Sequence, residues 1–291
     1  MVEELIDTPI SQQAINRIDI MLSNQWAIVT GGSSGIGAAI IDRLIQHEKN
    51  LCCLAVGRRS PQHFVSSCVE TDRIHKVSAD ISTPEGISAI LSALPEDACV
   101  KYLIHNAGVL GPIAPLSEID RSTWNQVVVT NLTAPLFLTQ ALIPQLKRYT
   151  GSSDNNSGAK ARVLNISSGA AHNPYVGWGP YCVTKAGLHM MYRCLSMELS
   201  THGILVGSVR PGIVDTDMQA EIRGYDGDPA HFPTHTKFRT LHEAGQLERP
   251  ENVAVYIHWL LSDISDDEFY AKEWDIRNSV DDERWKKYKS S

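Results

Sequence analysis

No Cys-x-x-Cys pair occurs among the six cysteines of this 291-residue chain, at positions 52, 53, 68, 99, 182 and 194. Free thiols in a reducing, cytoplasmic compartment are the expectation. No apolar run approaches the ~20 residues that span a bilayer, so no membrane association is expected. Basic residues are outnumbered: 26 Lys and Arg against 33 Asp and Glu leave a net charge of −7. That balance carries no nucleic-acid footprint and no polybasic patch. The N-terminus has Glu3, Glu4 and Asp7 where an export signal would carry bases. Internal repeats are absent, and so is any sign of a second domain. What remains is 43% apolar and 20% charged, the composition of a globular enzyme with a substantial core.

Residues 1–24 form a polar, weakly amphipathic extension carrying Leu5, Ile6, Ile10, Ile15 and Ile18. From Trp26 to Thr30 the chain reads as a buried strand that runs into Gly31-Gly32-Ser33-Ser34-Gly35-Ile36-Gly37. Apolar residues at helical spacing follow, from Ala38 to Ile45. Strand, glycine turn and helix form the context of a dinucleotide loop. Its glycines permit a tight turn, close approach to a pyrophosphate and close packing, and the helix N-terminus meets the negative charge.

A second strand, Leu51–Val56, ends in Gly57-Arg58-Arg59. A free ribose hydroxyl calls for an acid about 20 residues after the glycines, whereas a 2′-phosphate calls for arginine. No carboxylate lies between Ala55 and Val69. Arg58, ahead of Arg59, therefore points to NADP. A third strand, 74–79, closes on Asp80-Ile81, whose carboxylate can meet an adenine amino group. Thr83-Pro84-Glu85 caps a helix. The fourth strand, 100–105, delivers Asn106-Ala107-Gly108, small residues that leave room for a flat ligand. A long helix over roughly 120–148 holds Asn131 amid apolar neighbours, either as a satisfied core amide or as part of a proton relay. Asn131-Leu132-Thr133 also fits a glycosylation sequon, discounted because nothing suggests export.

Gly151–Lys160 reads as a mobile polar loop. The fifth strand, 162–166, delivers Ser167 and Ser168, and a Pro/Gly-rich crossing leads to a helix over 181–200. On that helix Tyr181 and Lys185 stand one turn apart on one face. An ammonium near a phenol favours the phenolate and makes the hydroxyl a usable acid or base. Ser168 can reach the same substrate oxygen. After the sixth strand, 204–209, come Pro211-Gly212-Ile213-Val214-Asp215-Thr216-Asp217-Met218-Gln219. An irregular region, 219–248, then serves as a candidate substrate lid, counted over about 215–248. His231 and His235 flank Pro233 and read as surface histidines, so no metal is expected. A helix over 251–261, a short strand near Trp274-Asp275-Ile276 and a charged tail, 278–291, expected to fray, complete the chain.

Taken together, the glycine loop, Asn106-Ala107-Gly108, Asn131, Ser168 and Tyr181…Lys185 resemble the short-chain dehydrogenases/reductases over roughly residues 25–277. The resemblance implies an α/β fold: one Rossmann-type, doubly wound parallel sheet with helices on both faces. Asn165–Ala171, Asn173-Pro174-Tyr175, Gly177-Trp178 and Pro211–Gln219 look like the sepiapterin reductase and benzil reductase branch, which reduces ketones and vicinal dicarbonyls with NADPH. Hydride would move from C4 of NADPH to the carbonyl carbon while Tyr181 protonates the oxygen and Ser168 steadies its charge. Lys185 would lower the tyrosine pKa and hold the nicotinamide ribose, and Asn131 would position a water leading to solvent. The cofactor would be held by Gly31, Ser33, Ser34, Gly35, Ile36, Gly37, Arg58, Arg59, Asp80, Ile81, Asn106, Ala107 and Gly108. Tyr181, Lys185, Pro211, Gly212, Val214 and Thr216 would complete its site. Trp178, Met218 and Gln219 would line the substrate pocket with Ser168, and Asp275 matches the family's pterin-anchoring carboxylate by position. A small carbonyl compound is the expected substrate and a homodimer or homotetramer the expected assembly. The rival readings are an NAD(P)-linked alcohol dehydrogenase and a non-catalytic NADP-binding regulator.

Overall fold

A computed structural model describes residues 24–60, 62, 72–151 and 158–290 of the chain. Residues 1–23 of the N-terminal extension, Cys68 and part of the 151–160 loop lie outside the described residues. Seven parallel strands form one sheet in the order β3-β2-β1-β4-β5-β6-β7. They are β1 (Gln25–Thr30), β2 (Leu51–Gly57), β3 (Ile74–Ser78), β4 (Cys99–His105), β5 (Ala161–Ile166), β6 (Ile204–Arg210) and β7 (Trp274–Asp275). The central strands are buried along almost their whole length. They read as continuous apolar runs because helices cover both faces. At the edge, β3 is half exposed.

The helices are α1 (Gly35–His47), α2 (Pro84–Ser92), α3 (Arg121–Val128), α4 (Ala134–Gly151), α5 (Gly179–Leu199), α6 (Asp217–Arg223), α7 (His235–Glu243), α8 (Pro250–Ser262), α9 (Asp266–Ala271) and α10 (Asp282–Trp285). One core joins α1 and α8 to one face of the sheet, and a second joins α4 and α5 to the other. The strand order reverses between β1 and β4. In a doubly wound sheet the loops leaving those two strands diverge there and open a crevice at their carboxyl ends.

Three expectations are corrected. The helix expected over 120–148 is two helices joined by a π-helical turn, Val129–Thr133, with Asn131 at its centre. The wider turn admits one extra residue and re-aims the side chains on it. The same Arg121–Gly151 stretch is apolar enough, by length and composition, to cross a membrane. Its Leu138, Leu142 and Leu146 are instead fully buried in the second core. The region 219–248 is not irregular: it contains the end of α6, a 3₁₀ turn at Pro229–His231 and α7. Its ends are tied, since Glu248 N–H donates to Ile213 O at 2.8 Å and Asp215 N–H to Glu248 O at 2.9 Å.

The charged tail, where it is described, packs on the body instead of fraying. Trp285 is buried against Tyr256, ring centroids 5.1 Å apart, and Tyr288 donates to Asp263 at 2.9 Å. One buried indole is enough to hold a short polar segment to the body.

Candidate active site

Crossing from β1 to α1, the glycine loop is shaped from below by Asn106. Its amide donates to Thr30 O at 3.0 Å and Gly31 O at 3.2 Å, while Thr30 Oγ1 accepts from the Asn106 and Ala107 N–H groups at 3.1 Å each. A Cβ at Gly37 would run into Gly31 O and the Asn106 amide, so only glycine closes this turn. No side chain caps the N-terminus of α1, and no acid stands in its first turn. Its orphan N–H groups and positive dipole end are thus left for an anion.

Beyond the loop lies a cavity of about 730 Å³. Its wall brings together Gly31, Ser33, Ser34, Gly35 and Ile36 with Arg58, Arg59, Asp80 and Ile81. Asn106, Ala107, Gly108, Pro211, Gly212, Val214 and Thr216 continue the wall toward Ser168, Trp178, Tyr181, Lys185, Met218 and Gln219. Arg59 pairs with Asp217 at 2.8 Å, whereas Arg58 has no ion-pair partner among the described residues. Asp80 accepts from the Ser82 hydroxyl at 2.6 Å, a bond that holds its carboxyl below the usual range.

Gly37, Asn131 and Asp275 stand outside the wall. Gly37 acts through the loop's shape. The Asn131 amide is fully engaged, accepting from Val109 N–H and donating to Val109 O at 2.8 Å each, with Thr184 Oγ1 at 3.2 Å. It pins the segment after β4 to α5 next to Gly108, whose Cα would carry a Cβ 3.3 Å from Asn131 Oδ1 and 3.9 Å from Lys185 Nζ. Asp275 is clasped by Arg277, through Nε at 3.0 Å and Nη2 at 2.8 Å, and by Arg210 at 3.1 Å. The cavity meets Arg277 in place of that carboxylate.

Tyr181 sits in the first turn of α5, 8% exposed. Burial pushes its phenol up to about 12, against a downward pull from a hydrogen bond with Ser168. The expectation that Lys185 lowers this pKa is therefore corrected. Lys185 Nζ lies 5.6 Å from the tyrosine ring centroid and donates to Ile166 O at 2.8 Å. Desolvation of the phenolate sets the direction of the shift. Burial brings Lys185 itself down to about 8, with Glu273 opposing the shift. Ser168 starts a 3₁₀ turn and accepts from Ala170 N–H at 3.1 Å. At neutral pH this arrangement presents a protonated phenol and a serine hydroxyl on one side of a sheltered cavity, a geometry suited to handing a proton to an oxygen.

Aromatic rings close the far wall. Trp178 stacks on Tyr175 (4.9 Å) and Phe238 (5.3 Å), with Phe232 at 5.5 Å. Gly177 has φ +84° and lies directly under His231 O, so the crossing and the 215–247 excursion touch where a side chain would not fit. Phe238, Ile222 and Arg277 in this wall went unrecognised in the sequence; a Phe on an otherwise polar helix was the available signal for Phe238. The Gln219 Oε1 is buried without a hydrogen-bond partner among the described residues. His235 meets Arg223 O at 2.9 Å, and His231 faces Glu118 and Asp228 at 3.8 and 3.9 Å.

A family profile for short chain dehydrogenase matches residues 25–226. A benzil reductase ((S)-benzoin forming) of Bacillus cereus is 32% identical over 251 residues, covering 81% of this chain and 94% of the relative. A sepiapterin reductase of Rattus norvegicus is 31% identical over 233 residues, covering 76% and 84%. Among solved structures, a short chain dehydrogenase/reductase from Saccharomyces cerevisiae superimposes with a TM-score of 0.74 at 27% identity, over 88% of this chain and 97% of that one.

Proposed function

The chain belongs to the short chain dehydrogenase family, and from that premise we propose that it is an NADPH-dependent carbonyl reductase acting on a ketone or vicinal dicarbonyl, with Tyr181 as the proton donor. The observation that carries this reading is the buried Tyr181 phenol, raised to about 12 and partnered by Ser168, in the same cavity as the uncapped start of α1. A phenol that stays protonated at neutral pH suits reduction, which consumes a proton, better than alcohol oxidation, which needs a base.

The chain's own groups fit a phosphorylated dinucleotide. The α1 N-terminus and the glycine loop offer backbone N–H groups to a pyrophosphate, and Arg58, in no ion pair among the described residues, offers a guanidinium to a 2′-phosphate. When bound, the reduced nicotinamide supplies hydride to the carbonyl carbon. Ser168 then steadies the substrate oxygen and Tyr181 gives it a proton. Lys185 stands behind as the nearby cation and binds the ribose, and Asn131 keeps the 107–109 segment in place beside a water route to solvent. Asp80 and Ile81 serve the adenine. The aromatic wall of Tyr175, Trp178 and Phe238 supports an apolar carbonyl substrate, in line with relatives named benzil reductase and sepiapterin reductase. Residues 215–248 act as the lid. Val183, Met190 and Met197, exposed at seven-residue spacing on α5, with Phe137 on α4, support pairing of two copies.

The test is consumption of NADPH and NADH with benzil, sepiapterin and small diketones side by side. We expect reduction with NADPH, and a loss of about 10²–10⁴-fold in kcat for Tyr181→Phe with NADPH binding kept. No oxidation of NADPH by any carbonyl would return the chain to the role of a dinucleotide-binding regulator.

A further inference from the structure

Directly behind the Tyr181–Lys185 helix, one carboxylate gathers groups from four parts of the chain. Glu273, just before β7, has a side chain only 6% exposed. Its Oε2 meets His172 Nε2 at 2.5 Å, and its Oε1 meets His189 Nδ1 at 3.1 Å and the Ser208 hydroxyl at 2.9 Å. Arg210 Nε stands 3.3 Å from Oε2, with Asp275 on the far side of that guanidinium. Ser167, Tyr192 and Lys185 complete the set of polar and titratable groups that feel its charge. Burial raises the Glu273 carboxyl, but the hydrogen bonds it accepts outweigh that and hold it below the usual range. An ionised carboxylate is acceptor-only, so His172 must donate from Nε2 and His189 from Nδ1. Two imidazole nitrogens and one carboxylate oxygen within 4.8 Å of one another resemble a metal-ligand set, but the same carboxylate is also paired with the Arg210 guanidinium.

The placement of the two histidines gives the cluster its meaning. His172 lies on the crossing, four residues after Ser168. His189 lies on α5, one turn beyond Lys185 and on its face. We propose that Glu273 is a positioning residue of the reduction: it holds the Ser168 crossing through His172, holds the Tyr181–Lys185 helix through His189, and sets a buried negative charge behind Lys185. This rests on the reading of Tyr181 as proton donor with Lys185 as its cation. Nothing in the glycine loop or the aromatic wall supplies that charge.

Lysine labelled with ¹³C at Cε reads Lys185 directly by NMR titration of the protein, without turnover; Lys185→Arg identifies the resonance. Wild type is expected to titrate near 8. Glu273→Gln, close in shape and uncharged, should titrate about one pH unit lower, and the alkaline limb of kcat should move with it. At pH 8 that shift lowers kcat about fivefold, with KM little changed. An unmoved Lys185 titration in folded Glu273→Gln overturns the charge part of the proposal.

The clamp is tested with the charge left in place. His172→Ala and His189→Ala should lower kcat several-fold without moving the Lys185 titration. His172→Gln and His189→Asn, whose amide N–H groups stand where the ring donors were, should restore it. Alanine variants with wild-type kcat overturn the clamp, and these four variants decide the matter if Glu273→Gln does not fold. A wild type that reduces no carbonyl sinks the functional reading, while the lysine titration still judges Glu273 by itself.

Discussion

The two ends of the cavity are built in different ways. At the dinucleotide end, residues 30–37 and 105–109 shape the wall with backbone atoms, short side chains and two strands that lie side by side. At the aromatic end, the wall is Tyr175, Trp178 and Phe238, drawn from a crossing and an excursion about 60 residues apart in sequence and joined by ring stacking. Backbone geometry tolerates almost no change. A wall of stacked rings can be reshaped, so one fold can keep its cofactor chemistry while the substrate varies.

The sharpest way to break this contrast is Gly37→Ala. The methyl collides with Gly31 O and the Asn106 amide, neither of which can give way without opening the loop. Overpacking of this kind costs about 1–3 kcal/mol. We expect NADPH binding to weaken roughly 10–100-fold by fluorescence titration. Wild-type affinity would mean that the loop is more compliant than its contacts imply.

A paired measurement then asks whether the ends are independent. Arg58→Ala should weaken NADPH binding about 10-fold and leave NADH nearly untouched, because the lost contact is a charge-assisted one to the extra phosphate. Trp178→Ala should leave both cofactors unaffected and raise KM for an aromatic diketone by a comparable factor. The double variant should show the sum of the two free-energy changes, as separated sites do. Strong non-additivity would show that residues 215–248 couple the two ends.

A further test is acid stability, which concerns the dinucleotide side. Burial brings His105, below the glycine loop at the end of β4, down to about 3, and His258 on α8 down to about 4. Both are neutral when folded, whereas the unfolded chain takes up their protons below its ordinary histidine pKa near 6.5. Stability should therefore fall as pH drops from about 6.5 toward 4, with no contribution from these groups above that window. Thr139 donates to Pro135 O at 2.8 Å, so His105 Nε2 must donate to Thr139 Oγ1, also at 2.8 Å. His105→Gln keeps such a donor, and melting temperature against pH should be flatter for it than for wild type.

Legibility followed the same divide. The strands, the glycine loop and the Tyr181–Lys185 spacing are local patterns, and the fold places them where those patterns imply. The π turn at Asn131 was invisible, because a one-residue insertion in a helix leaves the apolar periodicity almost unchanged. The fraying expected of the tail failed for a similar reason: charge dominates its composition, but Trp285 and Tyr288 decide where it goes. Asp275 was placed by position along the chain, and its partners Arg210 and Arg277 decide instead that it does not face the cavity.

By itself, then, the sequence determined the family and the parallel sheet, and it singled out Ser168, Tyr181 and Lys185 as candidates, since each rests on short-range spacing. Tertiary structure decided which way those residues lean energetically. Burial, not the neighbouring ammonium, sets the Tyr181 phenol, and a carboxylate 88 residues further along the chain opposes the effect of burial on Lys185. Desolvation and long-range charge depend on what surrounds a group in space, and no spacing along the chain encodes that.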